Sequence, residues 1–175
     1  MTSVTFVIPV FNKATYLKHV IKSIIKQKGR FEREFIFIND GSTDQTLQYL
    51  KKITKKWKNT KIFSQKNLGP AAATQKGIEN SKGDYLKLVG GDDLLHPNCT
   101  NLLLNIIKKN KSVGVFSKYK LMNNYKGLKF KNEKPLNIKK IETPLFETVK
   151  SSFSGTSPNL YCNKSIKRSG GHLIF

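Results

Sequence analysis

Two adjacent carboxylates, Asp92 and Asp93, follow a short apolar run and two glycines. Mg²⁺ and Mn²⁺ are commonly held by one or two carboxylates together with substrate phosphates, so this pair could hold a divalent cation beside a phosphorylated ligand. Gly90 and Gly91 would let the backbone approach such a ligand closely. The structural alternative is an acidic turn before a helix, since a helix N-terminus favours negative charge.

Asp40 also stands at the end of an apolar run, where its carboxylate could accept hydrogen bonds from a nucleobase imide or a ribose hydroxyl. In the segment 9–12, Phe11 could stack on a base. For both segments an ordinary turn is the alternative, with Ser42 capping the helix that follows. Residues 67–70 precede another helix and could hold an anion or form a plain loop.

The apolar pattern places these polar residues between regular elements. Continuous apolar runs predict buried strands, and apolar residues at i, i+3 and i+4 predict amphipathic helices. Strands are predicted at 5–10, 35–38, 61–64, 85–89, 113–116 and 159–162, and helices at 17–25, 45–57, 70–81, 97–107 and 165–169. This alternation predicts an α/β fold, a mostly parallel sheet with helices on both faces. Ligands bind beyond the carboxyl ends of such strands, where the polar segments stand.

Several local details are also predicted. Ser42 and Gln45 have the spacing of a capping box at the start of the second helix. Pro97 is expected at the first position of the fourth helix, and Cys99 is expected to face inward there, which disfavours a nucleophilic role. Ile25 belongs to the predicted apolar face of the first helix. Turns near 123–127 suggest a hairpin, and 131–150 reads as irregular.

Composition bounds the remaining possibilities. A chain of 175 residues suits one domain, with 32 Lys and Arg against 11 Asp and Glu for a net charge of +21. Only Arg30, Arg33 and Arg168 are arginines. A genome of skewed base composition explains such a lysine excess, while affinity for an anionic membrane surface is the functional alternative. Nucleic acid is an unlikely partner, because sequence-specific readers depend on arginine.

Other classes are disfavoured by what the sequence lacks. Two cysteines are too few for a disulfide framework, and no apolar run is long enough to span a bilayer. No secretory signal is evident, so secretion is not indicated. Glycine-rich dinucleotide motifs, a phosphate-binding loop and a serine nucleophile elbow are absent, and the three histidines lack metal-binding spacing.

Taken together, five segments resemble glycosyltransferase family 2. In chain order they are 4–12, 39–44, 66–69, 82–85 and 92–93, and a looser likeness reaches Gly170 and Gly171. The resemblance implies a GT-A fold over a single domain, 1–175, and transfer of a sugar from a nucleotide-diphosphate sugar, usually with inversion. It also implies a nucleotide-sugar-binding half at 1–110 and a partial acceptor-side half at 111–175.

The resemblance further implies roles for individual residues. The nucleotide-sugar-binding residues it implies are Pro9, Phe11, Asn12, Asp40 and Asp92. Asp93 would be the metal ligand, holding Mg²⁺ or Mn²⁺ on the diphosphate. The implied partners are a nucleotide-sugar donor and an undefined acceptor, which could be a glycan, a lipid-linked molecule or a protein. A cytoplasmic location is expected because nucleotide sugars are made in the cytoplasm. Peripheral contact with an anionic inner membrane face is a further expectation.

The sequence departs from the family pattern at several positions. Asn39 and Gly90 stand where the family often has an acid, and residues 73–75 replace a common Ala-Arg-Asn. The chain ends before the Glu-Asp motif of the acceptor side, so no catalytic base is assigned and a chain complete only on its donor side is expected. A non-catalytic nucleotide-binding relic of the fold and a basic membrane or nucleic-acid binder are the alternative interpretations.

Overall fold

The structure, a computed structural model, describes residues 1–122 and 159–169. The strands are β1 (Ser3–Val10), β2 (Glu32–Asp40), β3 (Thr60–Gln65), β4 (Tyr85–Leu88), β5 (Gly114–Phe116) and β6 (Asn159–Cys162). The helices are α1 (Ala14–Ile25), α2 (Thr46–Thr54), α3 (Gly69–Glu79), α4 (Cys99–Asn110) and α5 (Asn163–Arg168). The predicted alternation of strands and helices is confirmed. The turns near 123–127, the segment 131–150 and the glycines at 170–171 lie outside the described residues.

One sheet of six strands organises the fold, in the order β3-β2-β1-β4-β6-β5. β1 lies between two parallel neighbours, β2 and β4, and β2 is also parallel to β3. β6 is antiparallel to both β4 and β5. The sheet is therefore mostly parallel, as predicted, and the carboxyl ends of β1, β2 and β4 lie along one edge.

Both faces of the sheet are covered because side chains of β1 point alternately to each side. Phe6 and Ile8 pack in the cluster that contains the buried residues of α1 and α4, whereas Val7 packs with Ile78 of α3. The helices on both faces that the sequence predicts are thus confirmed. Among the described residues, no helix is long and apolar enough to cross a bilayer.

Two helices differ from the predicted register at single residues. Ile25, expected on the apolar face of α1, is 50% exposed at the end of the helix. In α4 the apolar spacing predicts an inward face of Cys99, Leu102, Leu103, Ile106 and Ile107. The buried face instead includes Thr100 and Leu104, whereas Leu102 is only partly buried. A buried threonine satisfies its hydroxyl by donating to the Oε1 of Gln27 at 2.7 Å, which an apolar-pattern argument does not anticipate.

The predicted starts of α2 and α4 are wrong. Ser42 caps no helix, since its Oγ accepts the N–H of Asn12 at 3.1 Å. Asp44 binds the first turn of α2 instead, because its Oδ1 accepts the N–H of Thr46 at 2.9 Å. Helix α4 begins at Cys99, two residues after Pro97, whose carbonyl accepts the N–H of Lys28.

Helix α3 approaches the sheet closely at Gly77. A Cβ at this position would overlap the Cγ1 of Val7 in β1 and would lie 3.5 Å from the Cγ1 of Ile38 in β2. The absence of a side chain therefore sets the distance between α3 and the central strands.

We expect Gly77→Ala to lower the free energy of unfolding by about 1–3 kcal/mol, because the added methyl overpacks the core. Removing the obstacle in Val7→Ala should make the same glycine substitution cost less. Urea unfolding of the two single variants and the double variant measures this coupling. Additive effects would contradict the contact.

Candidate functional site

Three loops meet at the edge of the sheet where β1, β2 and β4 end. The Nζ of Lys13, after β1, lies 2.5 Å from the Oδ2 of Asp92, after β4. The Oδ1 of Asn12, also after β1, accepts the backbone N–H of Thr43, after β2, at 2.9 Å. The structure therefore brings the sequence-predicted residues of all three loops to one place.

Phe11 and Pro9 occupy the end of β1. Pro9 is half-buried and lies opposite Ile38 of β2. Phe11 is 41% exposed. An exposed ring at the carboxyl edge of the sheet can stack on a planar ligand without rearrangement of the core.

Asn12 connects the loops after β1 and β2. Its backbone is left-handed, with φ of 51°, a conformation that asparagine tolerates better than most residues. Besides the bond to Thr43, its Oδ1 accepts the N–H of Asp44 at 3.3 Å. The amide oxygen thus holds the neighbouring loop, which gives Asn12 a positioning contact that the sequence did not predict.

Asp44 ties the beginnings of α1 and α2 together. Its Oδ2 accepts the N–H of Ala14 at 3.2 Å, while its Oδ1 serves Thr46. Burial alone would raise the pKa of Asp44, but the hydrogen bonds from Thr46 and Ala14 hold that pKa below its usual value. The carboxylate is therefore ionised at neutral pH and fixes the first turn of both helices.

Asp40 is buried and holds the loop between β3 and α3. Its Oδ1 accepts the side-chain N–H of Gln65 and the backbone N–H of Leu68, both at 2.9 Å. The same loop packs against Gly41, whose φ is 72° and whose Cβ, if present, would lie 2.7 Å from the N of Asn67. Only glycine fits there without strain. Asp40 and Gly41 thus position the loop at 65–68 beside the loops that follow β1, β2 and β4.

The acidic turn after β4 is compact. The N–H of Asp93 donates to the carbonyl of Gly90 at 3.1 Å, and a Cβ on Gly90 would lie 2.5 Å from the Oδ2 of Asp93. The carboxylate of Asp93 therefore occupies the space that a side chain at position 90 would need. Asp92 is the more exposed acid, with 46% of its side chain accessible beside Lys13.

A buried lysine lies close to this turn, and the sequence reasoning missed it. Lys87 of β4 is completely buried, and its Nζ donates to the carbonyl of Asn159 in β6 at 2.7 Å. Burial lowers the pKa of Lys87, while Cys99 and the carboxylate of Asp93 oppose that shift. The signal in the sequence was a charged residue inside an otherwise apolar strand.

Comparison with known proteins identifies the chain. The model of the family described as glycosyl transferase family 2 matches residues 5–169. The chain belongs to this family. The resemblance seen in the sequence is therefore confirmed.

Curated relatives agree with family 2. A cholesterol galactosyltransferase of Borreliella burgdorferi is 35% identical over 116 residues, which cover 66% of this chain and 32% of that protein. An uncharacterized glycosyltransferase of Rickettsia conorii is 34% identical over 122 residues, covering 70% of this chain and 20% of that protein. The chain thus spans between a fifth and a third of the length of these two relatives.

Solved structures confirm the GT-A fold. Residues 1–349 of TarS from S. aureus, in complex with UDP-GlcNAc, superpose with a TM-score of 0.74 at 20% identity, covering 97% of this chain and 48% of that one. A mannosyltransferase of Pyrobaculum calidifontis, in complex with GDP-Man and Mn²⁺, gives a TM-score of 0.70 at 13% identity, covering 95% and 46%.

The carboxylates at the site of this family 2 chain suit a cation that arrives together with its ligand. Within residues 1–122 and 159–169, no three His, Cys, Asp or Glu side chains group to hold a metal. Asp92 and Asp93 offer neighbouring carboxylates, and Mg²⁺ in such sites takes one or two carboxylates and completes its shell with phosphates and water. Two acids without a third therefore suit a cation held mainly by a diphosphate.

We expect Asp40→Ala to lower the free energy of unfolding by about 1–3 kcal/mol, because the N–H of Leu68 loses its buried acceptor. Hydrogen exchange at the Leu68 amide should accelerate more than exchange in β5, which lies at the far edge of the sheet. Glu32→Ala is the matched control, since Glu32 is exposed at the opposite end of the same strand. Equal effects of the two variants would contradict the assigned contact.

The buried Lys87 predicts a pH dependence of stability. Because burial lowers its folded-state pKa below the ordinary 10.5, the folded state is penalised at low pH, and the penalty shrinks as pH rises towards the unfolded pKa. The unfolding free energy of the natural chain minus that of Lys87→Met should therefore increase between about pH 7 and about pH 9.5. Urea titrations at both pH values measure it, and a constant or falling difference would refute it.

Proposed function

We propose that the chain binds a nucleotide-diphosphate sugar at the carboxyl edge of the sheet and transfers its glycosyl group to an acceptor. The observation that carries this proposal is the meeting of an exposed aromatic ring, Phe11, with the acids Asp92 and Asp93 at one edge of a family 2 fold. These groups match the three parts of such a donor, which are a planar base, hydroxyl-bearing sugars and a diphosphate.

The nucleoside would lie over the ends of β1 and β2. In this arrangement Pro9 and Phe11 contact the base, and Asp40 accepts hydrogen bonds from the base or the ribose through the oxygen that does not hold the loop at 65–68. Asn12 keeps the loop after β2 in place. Asp92 lies near the ribose and the diphosphate.

Asp93 would hold Mg²⁺ or Mn²⁺ together with the diphosphate. When bound, this cation offsets the negative charge that develops on the departing nucleoside diphosphate. The chain itself fixes the acidic turn through the bond between the Asp93 N–H and the carbonyl of Gly90. A preorganised carboxylate costs little reorganisation when the ligand binds.

Lys13 supplies a positive charge at the same place. Its Nζ contacts Asp92 in the structure, and its backbone N–H donates to the Oγ1 of Thr46 at 2.8 Å, which fixes the position of its backbone. The side chain is 32% accessible and can turn towards a bound diphosphate. It thereby compensates for the arginine that the family often has in the segment at residues 73–75.

The acceptor side is less defined. The acceptor could be a growing cell-surface polysaccharide, a lipid-linked glycan or a protein, and relatives named for cholesterol galactosylation and chondroitin synthesis show that products differ among similar sequences. A cytoplasmic location, peripheral to an anionic inner membrane, suits the charge of +21 and the cytoplasmic supply of nucleotide sugars.

Calorimetric titration with UDP, GDP and dTDP, each with and without Mn²⁺, tests the donor site. We expect one nucleotide to bind and Mn²⁺ to strengthen its binding, because the phosphates carry most of the ligands of the cation. If none of the three binds under either condition, the proposed donor site is wrong.

Asp93→Asn should weaken Mn²⁺-dependent binding of that nucleotide by at least about tenfold, since the cation loses a charged ligand. Its affinity without metal should change little. Glu32→Gln is the matched control, because it removes the same charge at the start of β2, on the edge of the sheet opposite the proposed site. An unchanged affinity in Asp93→Asn would refute the metal assignment while leaving the nucleotide site intact.

A further inference from the structure

A cavity lies at the edge of the sheet opposite the proposed donor site, where β1 and β4 begin. Its volume is about 780 Å³, within the range of small-molecule sites. Its wall is formed by the start of β4, the end of β6, the last turn of α4 and the helix α5. Because β1 and β4 are parallel, none of the residues of the proposed donor site contributes to it.

Positive side chains dominate this cavity. The cationic residues that line it are Lys82, Lys108, Lys164, Lys167 and Arg168. Within the described parts of the chain, the two ion pairs join Lys13 to Asp92 and Lys61 to Glu34, so neither involves these five cations. Five cations that have no ion-pair partner among the described residues repel one another, and an anion in the cavity would relieve that repulsion.

The one acid among the lining residues, Asp84, offsets only one of the five positive charges. The Oδ2 of Asp84 accepts the backbone N–H and the hydroxyl of Ser3, both at 2.9 Å. Two of the lysines are anchored by neutral groups instead. Lys167 donates to the carbonyl of Ser81 at 2.6 Å, and Lys108 donates to the hydroxyl of Thr2 at 2.5 Å. Lys167 also donates to the carbonyl of Glu79 at 3.3 Å. Because an ammonium has three N–H groups, Lys167 keeps one of them for a ligand and Lys108 keeps two.

We propose that this cavity is a second binding site, separate from the donor site, for phosphate groups. Several convergent lysines favour a multiply charged phosphate over a single carboxylate, since each ammonium acts as a point charge. The same chemistry is offered by a free phosphorylated molecule and by the headgroup of an anionic lipid, and the experiment below distinguishes these sources.

A cysteine in the wall provides a local reporter. Cys162 ends β6 opposite Tyr85 and is partly buried in the cavity wall. Hydrogen bonds from the Ser165 hydroxyl and from the N–H groups of Ser165 and Lys164 lower the pKa of the Cys162 thiol, against the effect of burial. In a Cys99→Ser background, Cys162 is the one remaining thiol of the chain.

The experiment compares two disulfide reagents, the dianionic dithiobis(nitrobenzoate) and the uncharged dithiodipyridine. In each reaction the Cys162 thiolate bonds to one sulfur of the reagent and displaces the other. The first reagent releases the yellow thionitrobenzoate, and the second releases a thiolate that takes up a proton to give the ultraviolet-absorbing thiopyridone. The ratio of the two rate constants reports the local charge, because the fraction of thiolate is common to both. EDTA is present throughout, so metal-dependent binding at the donor site does not contribute.

Inorganic pyrophosphate should slow the reaction with the dianionic reagent saturably, by roughly tenfold at saturation, which is the lower end of the effect of focused charge on association rates. It should slow the uncharged reagent less. Vesicles of phosphatidylglycerol, compared with vesicles of phosphatidylcholine, test the lipid source. Protection by pyrophosphate assigns a soluble ligand, and protection by phosphatidylglycerol alone assigns a headgroup.

Matched variants separate the cavity from the general charge of the chain. Lys164→Gln with Arg168→Gln should abolish protection and lower the reagent ratio. Lys51→Gln with Lys52→Gln removes the same charge from the exposed surface of α2 and should change neither. Saturable protection of the Cys162 thiol in the chain with an unsubstituted cavity supports the proposal even if a variant fails to fold. Absence of protection by both pyrophosphate and phosphatidylglycerol, or equal loss in both double variants, would overturn the proposal.

Discussion

The parallel pairing of β1 with a strand on each side is the constraint on which the rest of the molecule depends. β1 pairs with β2 from Ser3 to Val10 and with β4 from Val4 to Val7. Since all three strands run in the same direction, the loops that follow them must emerge side by side. Side chains distant in sequence then meet, as Lys13 and Asp92 do. The apolar core stabilises this arrangement of strands, and the arrangement places the polar loops side by side.

The sequence predicted the elements well because their signal is local. Apolar runs and helical spacing report directly which side faces the core, so the strands and helices of the first 110 residues were expected close to where they lie. The errors fall where a distant partner decides. Ser42 accepts a hydrogen bond from Asn12 and does not cap a helix. Asp44 accepts hydrogen bonds from the first residues of both α1 and α2. Lys87 is stabilised by a carbonyl of β6, more than seventy positions away in the chain. No periodicity encodes such contacts.

The two proposed sites, at opposite edges of the sheet, differ in charge. Near the carboxyl ends of the strands, carboxylates stand in a turn with one lysine in contact. Near the amino ends, five cations line a cavity whose one lining acid, Asp84, accepts hydrogen bonds from Ser3. Such polarity separates a site suited to a cation with its phosphates from a site suited to an anion alone. It also gives the strong positive charge of the chain a location, since part of it is concentrated on one side.

The position of β6 between β4 and β5 has a consequence for the order of folding. β5 ends at Phe116 and β6 begins at Asn159, and both neighbours of β6 precede it in the chain. During synthesis, the edge of β4 therefore stays open until residues near 160 have left the ribosome, and β5 has no described strand to join before then. The four parallel strands β1 to β4 can therefore pair before β6 is available, and β6 is needed to complete the described sheet. Open strand edges promote association between chains, so this interval is when the nascent protein is most exposed to misassembly.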